Sequence, residues 1–182
     1  MFRNISQFCK RDDGATAIEF AFVAVPFVIL MMAIVEISLF FAASSLIEGA
    51  TSSAARLIKT GQLQQMEDAD PQEAFETALC DHASIFARCE NLQFEVVQLD
   101  GFSDAANYQP EYDEDGNLVS NGFSTGGVND IILVRTIYRY PLVLPFFQQV
   151  FSDGANGTRL IMSTVVFQTE PYDLQAEEEA GA

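Results

Sequence analysis

The sequence predicts an α+β fold in which one long N-terminal helix packs on a small antiparallel sheet of about three to four strands. A dense apolar block runs from Ala15 to about Ala43, and helical periodicity continues beyond it. Three segments rich in β-branched and aromatic residues follow in the second half of the chain. Together these observations favour one membrane segment followed by one modest globular domain.

The apolar block is long enough to cross a membrane as a helix. No charge occurs from Phe20 to Val35, and a spanning helix needs roughly 20 largely apolar residues. The block reaches that length when Glu19 or Glu36 lies at an edge. A secretory signal peptide is the alternative, but its apolar core would be shorter and would end at a small-x-small cleavage site.

The helical pattern continues past the apolar block as an amphipathic stripe. We expect one helix over residues 15–60, with its first half in the membrane and its second half packed on the globular domain. Gly61 is a suitable stop for this helix. The stripe consists of Leu46, Ile47, Ala50, Ala54, Leu57 and Ile58.

A second helix begins at Pro71. Asp70 can cap it, Pro71 suits its first position, and Glu73 has the spacing of a capping box. Cys80 is the predicted end of this helix, and Cys89 lies just before the next strand.

The remaining elements are three strands, a long polar loop and a short apolar turn or helix. The predicted strands are Leu92 to Leu99, Asp130 to Tyr140, and Arg159 to Thr169. Arg135 and Arg139 alternate with apolar residues, which predicts a sheet with one face exposed to water. Residues 100–129 are rich in Gly, Asn, Asp and Ser and predict the loop, and residues 146–151 form the apolar turn or helix.

Charge is distributed unevenly along the chain. The net charge is −17, from 9 Lys and Arg against 26 Asp and Glu, which excludes nucleic acid as a partner. Arg3, Lys10 and Arg11 precede the apolar block, so the positive-inside rule predicts a cytoplasmic N-terminus and a body across the membrane. The predicted divisions are a leader (1–14), the long helix (15–60), an α+β domain (61–174) and an acidic disordered tail (175–182).

Two of the three cysteines lie close together in the acidic body. Outside the cytoplasm, Cys80 and Cys89 are expected to form a disulfide; the alternative is two buried free thiols. Cys9 would face a reducing cytosol and needs no partner.

The junction between leader and apolar block carries the strongest functional signal. Gly14 gives a protease close access to the backbone, and cleavage there leaves Ala15 as a new N-terminus with Glu19 as fifth residue. A carboxylate at the start of a membrane helix is unfavourable unless it is paired, and the free amine of a neighbouring subunit could pair with it. The alternative is an uncleaved signal anchor with Glu19 at the level of the lipid headgroups.

The residues predict no catalytic group, metal site or cofactor, and hence no enzyme. His82 is the single histidine, too few for a His-rich metal site, and is expected on a helix surface. The acidic run 113–117 hints at a calcium loop, but Leu118 stands where that loop needs glycine. An exposed turn is the better interpretation.

Several stretches, in order, resemble one protein family. GATAIEFAFVAVPFVILMMAIVEISLFF is similar to the N-terminus of TadE-like pseudopilins of the tight-adherence (Tad, or Flp) pilus, a type IV pilus system. LCDHASIFARCENLQFEVVQL resembles that family's cysteine pair and strand, VRTIYRYPLVLPFF its strand and aromatic-Pro turn, and VVFQTEPY its last strand. The resemblance extends from Gly14 to Tyr172.

This resemblance implies a minor pseudopilin that initiates, primes or caps a pilus. It implies cleavage between Gly14 and Ala15 by a prepilin peptidase, and pairing of Glu19 and Phe20 with a subunit's terminal amine. The implied partners are that peptidase, other minor pseudopilins and pilus subunits, an inner-membrane assembly platform and membrane lipid. The implied location is the bacterial inner membrane, with the C-terminal domain in the periplasm. A permanent single-pass membrane protein with a periplasmic partner-binding domain is the alternative.

Overall fold

The computed structural model describes residues 15–66, 69–113, 117–153 and 157–172. They form an α+β structure, as predicted from the sequence. Its helices and strands, in chain order, are α1 (Ala15–Lys59), α2 (Pro71–Ala83), β1 (Leu92–Leu99), β2 (Ile131–Pro141), α3 (Pro145–Phe151) and β3 (Thr158–Gln168). The chain divides into two compact units, residues 1–39 and 40–182. The predicted leader (1–14) and acidic tail (175–182) lie outside the described residues.

Helix α1 is continuous over 45 residues and contains Pro26. Its last turn carries Arg56 and Lys59, whose charges suit the negative end of the helix dipole. Gly61 follows with φ +74°, a left-handed conformation that favours glycine and ends the helix. The predicted stop is therefore confirmed.

The sheet has three antiparallel strands in the order β1-β2-β3, with β2 in the centre. The sequence predicted β1 without error and the other two strands to within one residue at each end. In register, Glu95 of β1 lies opposite Arg135 of β2, and Arg135 lies opposite Thr164 of β3. From Ile131 to Tyr138, each β2 residue therefore has a neighbour on both sides, whereas the last three residues of β2 pair with β3 alone.

The core of the second unit lies between one face of the sheet and two helices. The second half of α1 contributes its predicted stripe, with Ile47, Ala50, Ala54 and Ile58 at most 1% exposed. Helix α2 adds Phe75 and Leu79, and the sheet adds chiefly Val96, Ile132, Val134, Tyr138 and Tyr140. The amphipathic half of α1 therefore belongs to the globular fold.

Helix α2 begins as predicted but ends one turn later. The Asp70 side chain accepts a hydrogen bond from the backbone N–H of Gln72 at 3.0 Å. The helix continues past Cys80 to Ala83 because Leu79 and Ala83 are both fully buried in the core. Packing therefore prolongs the helix by a turn in which the sequence has no marked apolar run.

The prediction that Arg135 lies on a face of the sheet exposed to water is wrong. Arg135 is only 4% exposed, and its neighbours on that face, Leu133 and Ile137, are also buried. The loop between β1 and β2 covers this part of the sheet, and its Tyr108 ring lies 5.4 Å from the Arg135 guanidinium carbon. Strand β2 is consequently buried on both faces.

The segment after β3 contacts the C-terminal end of α1 and the turn that follows it. The backbone N–H of Glu170 donates to the Lys59 carbonyl at 2.8 Å, and the two side chains form an exposed ion pair at 3.8 Å. The Tyr172 ring packs against Gly61 so closely that a Cβ atom on that glycine would collide with it. Gly61 is thus required both for its positive φ and for its lack of a side chain.

Candidate assembly surface

The predicted processing and pairing residues lie at the start of α1. The helix begins at Ala15, whereas Gly14 lies outside the described residues. Glu19 is exposed one turn into the helix, and Phe20 is 73% exposed. Within the described part of the chain, no basic group forms an ion pair with Glu19. A cation from outside this chain could therefore reach its carboxylate.

The large apolar side chains of the first part of α1 are exposed, although Glu36 within this part is only 4% exposed. Among the described residues, α1 is the one helix that is long and apolar enough to cross a membrane. The large apolar side chains from Ile18 to Leu39 are all at least 39% exposed. Such a surface is unfavourable in water and suits lipid or other apolar helices. The helix indicates a single-pass membrane protein.

The second half of α1 presents two different faces. From the sequence, we expect the small residues of 42–55 to permit close approach of another helix. Four alanines of that stretch, at positions 43, 50, 54 and 55, are instead buried in their own domain. Ser45, Gly49 and Ser52 remain exposed, with the i, i+4, i+7 spacing of one helix face. No atom would lie within 4 Å of a Cβ on Gly49, so this face is open.

Cys80 and Cys89 are brought together by the turn after α2. Their Cα atoms are 5.5 Å apart, a separation that suits a disulfide, and their Sγ atoms are in contact. Cys80 lies in α2, and Cys89 begins a short 3₁₀ turn that leads directly into β1. A disulfide here would fix the end of α2 to the first strand. The bond itself stays a prediction.

A buried ion pair between β1 and β2 was not predicted. The Glu95 carboxylate accepts a hydrogen bond from Arg135 Nη1 at 2.6 Å, with the two side chains 0% and 4% exposed. Arg135 Nη2 donates to the carbonyl of Tyr108 at 2.9 Å. Asn121 also donates to the hydroxyl of Tyr108, at 2.7 Å. The pair therefore anchors the β1–β2 loop to the sheet. The feature of the sequence that could have indicated this buried pair is Glu95, a charged residue inside the apolar strand LQFEVVQL.

Burial perturbs two tyrosines near this network. Partial burial raises the pKa of Tyr108, and the negative charge of Glu95 raises it further. Burial also raises the pKa of Tyr138, whose hydroxyl donates to the carbonyl of Phe86 at 3.3 Å. Both groups therefore act as neutral hydrogen-bond donors in the folded domain.

The remaining polar candidates have local structural roles. His82 Nδ1 lies 3.1 Å from the carbonyl of Ala78 on the exposed side of α2. Asp113 accepts two hydrogen bonds from Asn117, one from its backbone N–H and one from its side-chain amide. The described residues contain no group of three or more His, Cys, Asp or Glu side chains that could hold a metal ion.

Comparison with known proteins identifies the N-terminal part of the chain. A family model described as "TadE-like protein" matches residues 14–56, a stretch that includes the Gly14-to-Phe20 junction and most of α1. No curated protein and no solved structure matches the chain. Over residues 14–56 the chain is similar to the TadE-like family, and the resemblance seen in its sequence is confirmed for that segment.

Proposed function

We propose that this protein is a minor pseudopilin that takes part in assembly, priming or capping of a Tad pilus. The observation that carries the proposal is the TadE-like match over residues 14–56, which begins at Gly14 itself. Gly14, the carboxylate of Glu19 and a helix with exposed large apolar side chains follow one another within that segment. The function would therefore reside in association of the helix and not in catalysis.

The first step of the proposed function is removal of the leader. A prepilin peptidase would cut between Gly14 and Ala15 on the cytoplasmic side of the inner membrane. The basic residues of the leader favour keeping the N-terminus on that side. Cleavage frees the amine of Ala15 and makes Glu19 the fifth residue of the mature chain. The domain after α1 would lie in the periplasm.

The second step is pairing between subunits. An exposed Glu19 at the start of an apolar helix is costly in the membrane, and a terminal amine from a neighbouring subunit would neutralise it. Phe20 lies beside it and is exposed for contact with the same neighbour. Along the second half of α1, the open face of Ser45, Gly49 and Ser52 would let a second helix approach closely.

Cleavage can be tested directly on the protein from its native membrane. The intact mass and N-terminal sequence should be measured with and without the prepilin peptidase. A chain that begins at Ala15 only in the presence of the peptidase is the expected result. A chain that still begins at Met1 under both conditions would favour the permanent membrane anchor with a partner-binding domain.

The role of Glu19 needs a separate test with a matched control. Glu19→Ala should leave membrane insertion and folding intact but strongly reduce the number of pili per cell. Glu76→Ala removes an exposed carboxylate from α2, outside both the apolar block and the Ser45–Gly49–Ser52 face, and should leave piliation normal. Equal piliation in both variants would refute the pairing role of Glu19.

A further inference from the structure

The connection between β2 and β3 carries an apolar surface on an otherwise acidic domain. Residues 141–152 contain no charged side chain. Phe146 and Val150 are 63% and 58% exposed and have the i, i+4 spacing of one face of α3, and Val143, two residues before the helix, is 69% exposed. We call these three residues the α3 edge. Phe147 points the other way and is buried, so α3 is anchored to the domain while its edge is exposed.

This connection lies at the end of the domain where α1 enters it. The Phe40 ring contacts Tyr140 of β2, with ring centroids 5.6 Å apart. The guanidinium carbon of Arg159, at the start of β3, lies 5.8 Å from the centroid of the same ring. Since α3 joins these two strand ends, the α3 edge belongs to the same end of the domain as Phe40.

Phe40 directly follows the segment that would cross the membrane. The stretch from Phe20 to Leu39 contains 20 residues and one charge. A spanning helix needs roughly 20 apolar residues, so the hydrocarbon region would end close to Phe40. Arg159, which lies at this end of the domain, is of a type that favours the membrane–water interface, where a guanidinium group meets the headgroups.

We propose that the α3 edge inserts into the lipid surface next to the point where α1 leaves the membrane. The proposal rests on α1 spanning the membrane and goes beyond the pseudopilin function. The absence of acidic side chains in residues 141–152 removes the electrostatic cost that the rest of the body would meet at a membrane surface. Insertion of the α3 edge gives the domain a second contact with the bilayer and so restricts how it can rotate about α1.

The chain contains no tryptophan, so a single introduced tryptophan reports its own surroundings. The full chain carrying Phe146→Trp is reconstituted at low protein density in phosphatidylcholine vesicles that contain lipid brominated near the headgroup end of its acyl chains. Phe102→Trp is the matched control, because Phe102 is similarly exposed at 55%. Phe102 follows the Leu99 end of β1, which lies at the opposite end of the sheet from Pro141. A strand of this length separates the two ends by about 30 Å.

The proposal predicts several-fold stronger quenching by brominated lipid at position 146 than at position 102. Val150→Asp, added to Phe146→Trp, should abolish most of that difference, since it places a charge on the same face. Flotation of each variant with the vesicles reports insertion of α1 independently, so a failure of insertion is distinguished from a failure of the α3 edge to reach lipid.

Two results would overturn the proposal. One is equal lipid quenching at positions 146 and 102 in vesicle-bound protein. The other is protection of position 146 from aqueous acrylamide without quenching by brominated lipid, with the protection rising as protein density rises. That second outcome would assign the α3 edge to contact with another copy of the chain.

Discussion

Removal of the Arg135 side chain should destabilise the domain far more than removal of an exposed arginine. Arg135→Met leaves the Glu95 carboxylate, which is fully buried, without its partner at 2.6 Å. An unpaired buried charge of this kind costs about 3–5 kcal/mol. At about 2–4 °C per kcal/mol, the Tm should fall by roughly 6–20 °C.

A double substitution separates the cost of leaving Glu95 unpaired from the cost of losing the Arg135 side chain itself. In Glu95→Leu with Arg135→Met, no charge remains buried, and apolar side chains of similar volume fill the space. Such replacements of buried ion pairs are often neutral or stabilising, so the double variant should recover most of the loss. The interaction free energy between the two positions, measured by the double-mutant cycle, should therefore be large, as it is for residues in direct contact.

The assay is thermal unfolding of the full chain in detergent, followed by near-ultraviolet circular dichroism of the tyrosines. Arg88→Met is the matched control, because Arg88 forms an exposed ion pair with Glu90 at 3.7 Å. Exposed pairs contribute about 0–1 kcal/mol, so the control should change Tm little. Equal Tm values for Arg135→Met and Arg88→Met would refute the reasoning, as would a double variant less stable than either single one.

Three further predictions concern other parts of the domain. Gly61→Ala should destabilise the domain by at least about 1 kcal/mol, because this residue needs a positive φ and has no room for a Cβ. Gly49→Ala, in an open helix position, should instead stabilise the domain by up to about 1 kcal/mol. Chemical denaturation measures the free energy of unfolding of both variants. Replacement of Cys80 and Cys89 by serine should cost roughly 2–3 kcal/mol for a closed loop this short, and unchanged thermal unfolding would count against the disulfide. The raised pKa of Tyr138 means that the unfolded chain loses this proton first, so stability should be intact below pH 10.0 and decline as the pH rises through the folded-state pKa. Tyr138→Phe should make that decline shallower in Tm measurements above this pH, and an identical decline in both proteins would contradict the assignment.

The sequence predicted most of the architecture because hydrophobic periodicity governs it. The α1 stripe, the cap at Asp70 and the three strands all follow from local patterns of apolar, polar and turn-forming residues. The predicted end at Gly61 was correct because a left-handed glycine has a strong local preference. Each of these signals is contained within a few neighbouring residues.

The environment of Arg135 could not be predicted in the same way. An arginine in an alternating strand ordinarily indicates a face exposed to water, and nothing nearby in sequence contradicts that interpretation. The decisive partners are Glu95 in another strand and Tyr108 in a polar loop. Only the register of β1 against β2 brings the two charges together, and register depends on contacts distant in sequence.

The small residues of α1 show a similar limit. Sequence pattern marks the whole stretch 42–55 as suited to close helix contact. Which of these residues remain available depends on how the domain packs on the helix, because the alanines fill its own core. The exposed set of Ser45, Gly49 and Ser52 emerges only from the folded structure.

The hydrogen bond from Glu170 to the Lys59 carbonyl has a consequence for biogenesis. In the proposed topology, α1 enters the membrane early in synthesis, yet the group that closes its C-terminal end lies near the other end of the chain. Strand β3, which completes the sheet beside β2, also emerges late. In that topology, the domain therefore cannot finish folding until β3 and Glu170 have also crossed the membrane.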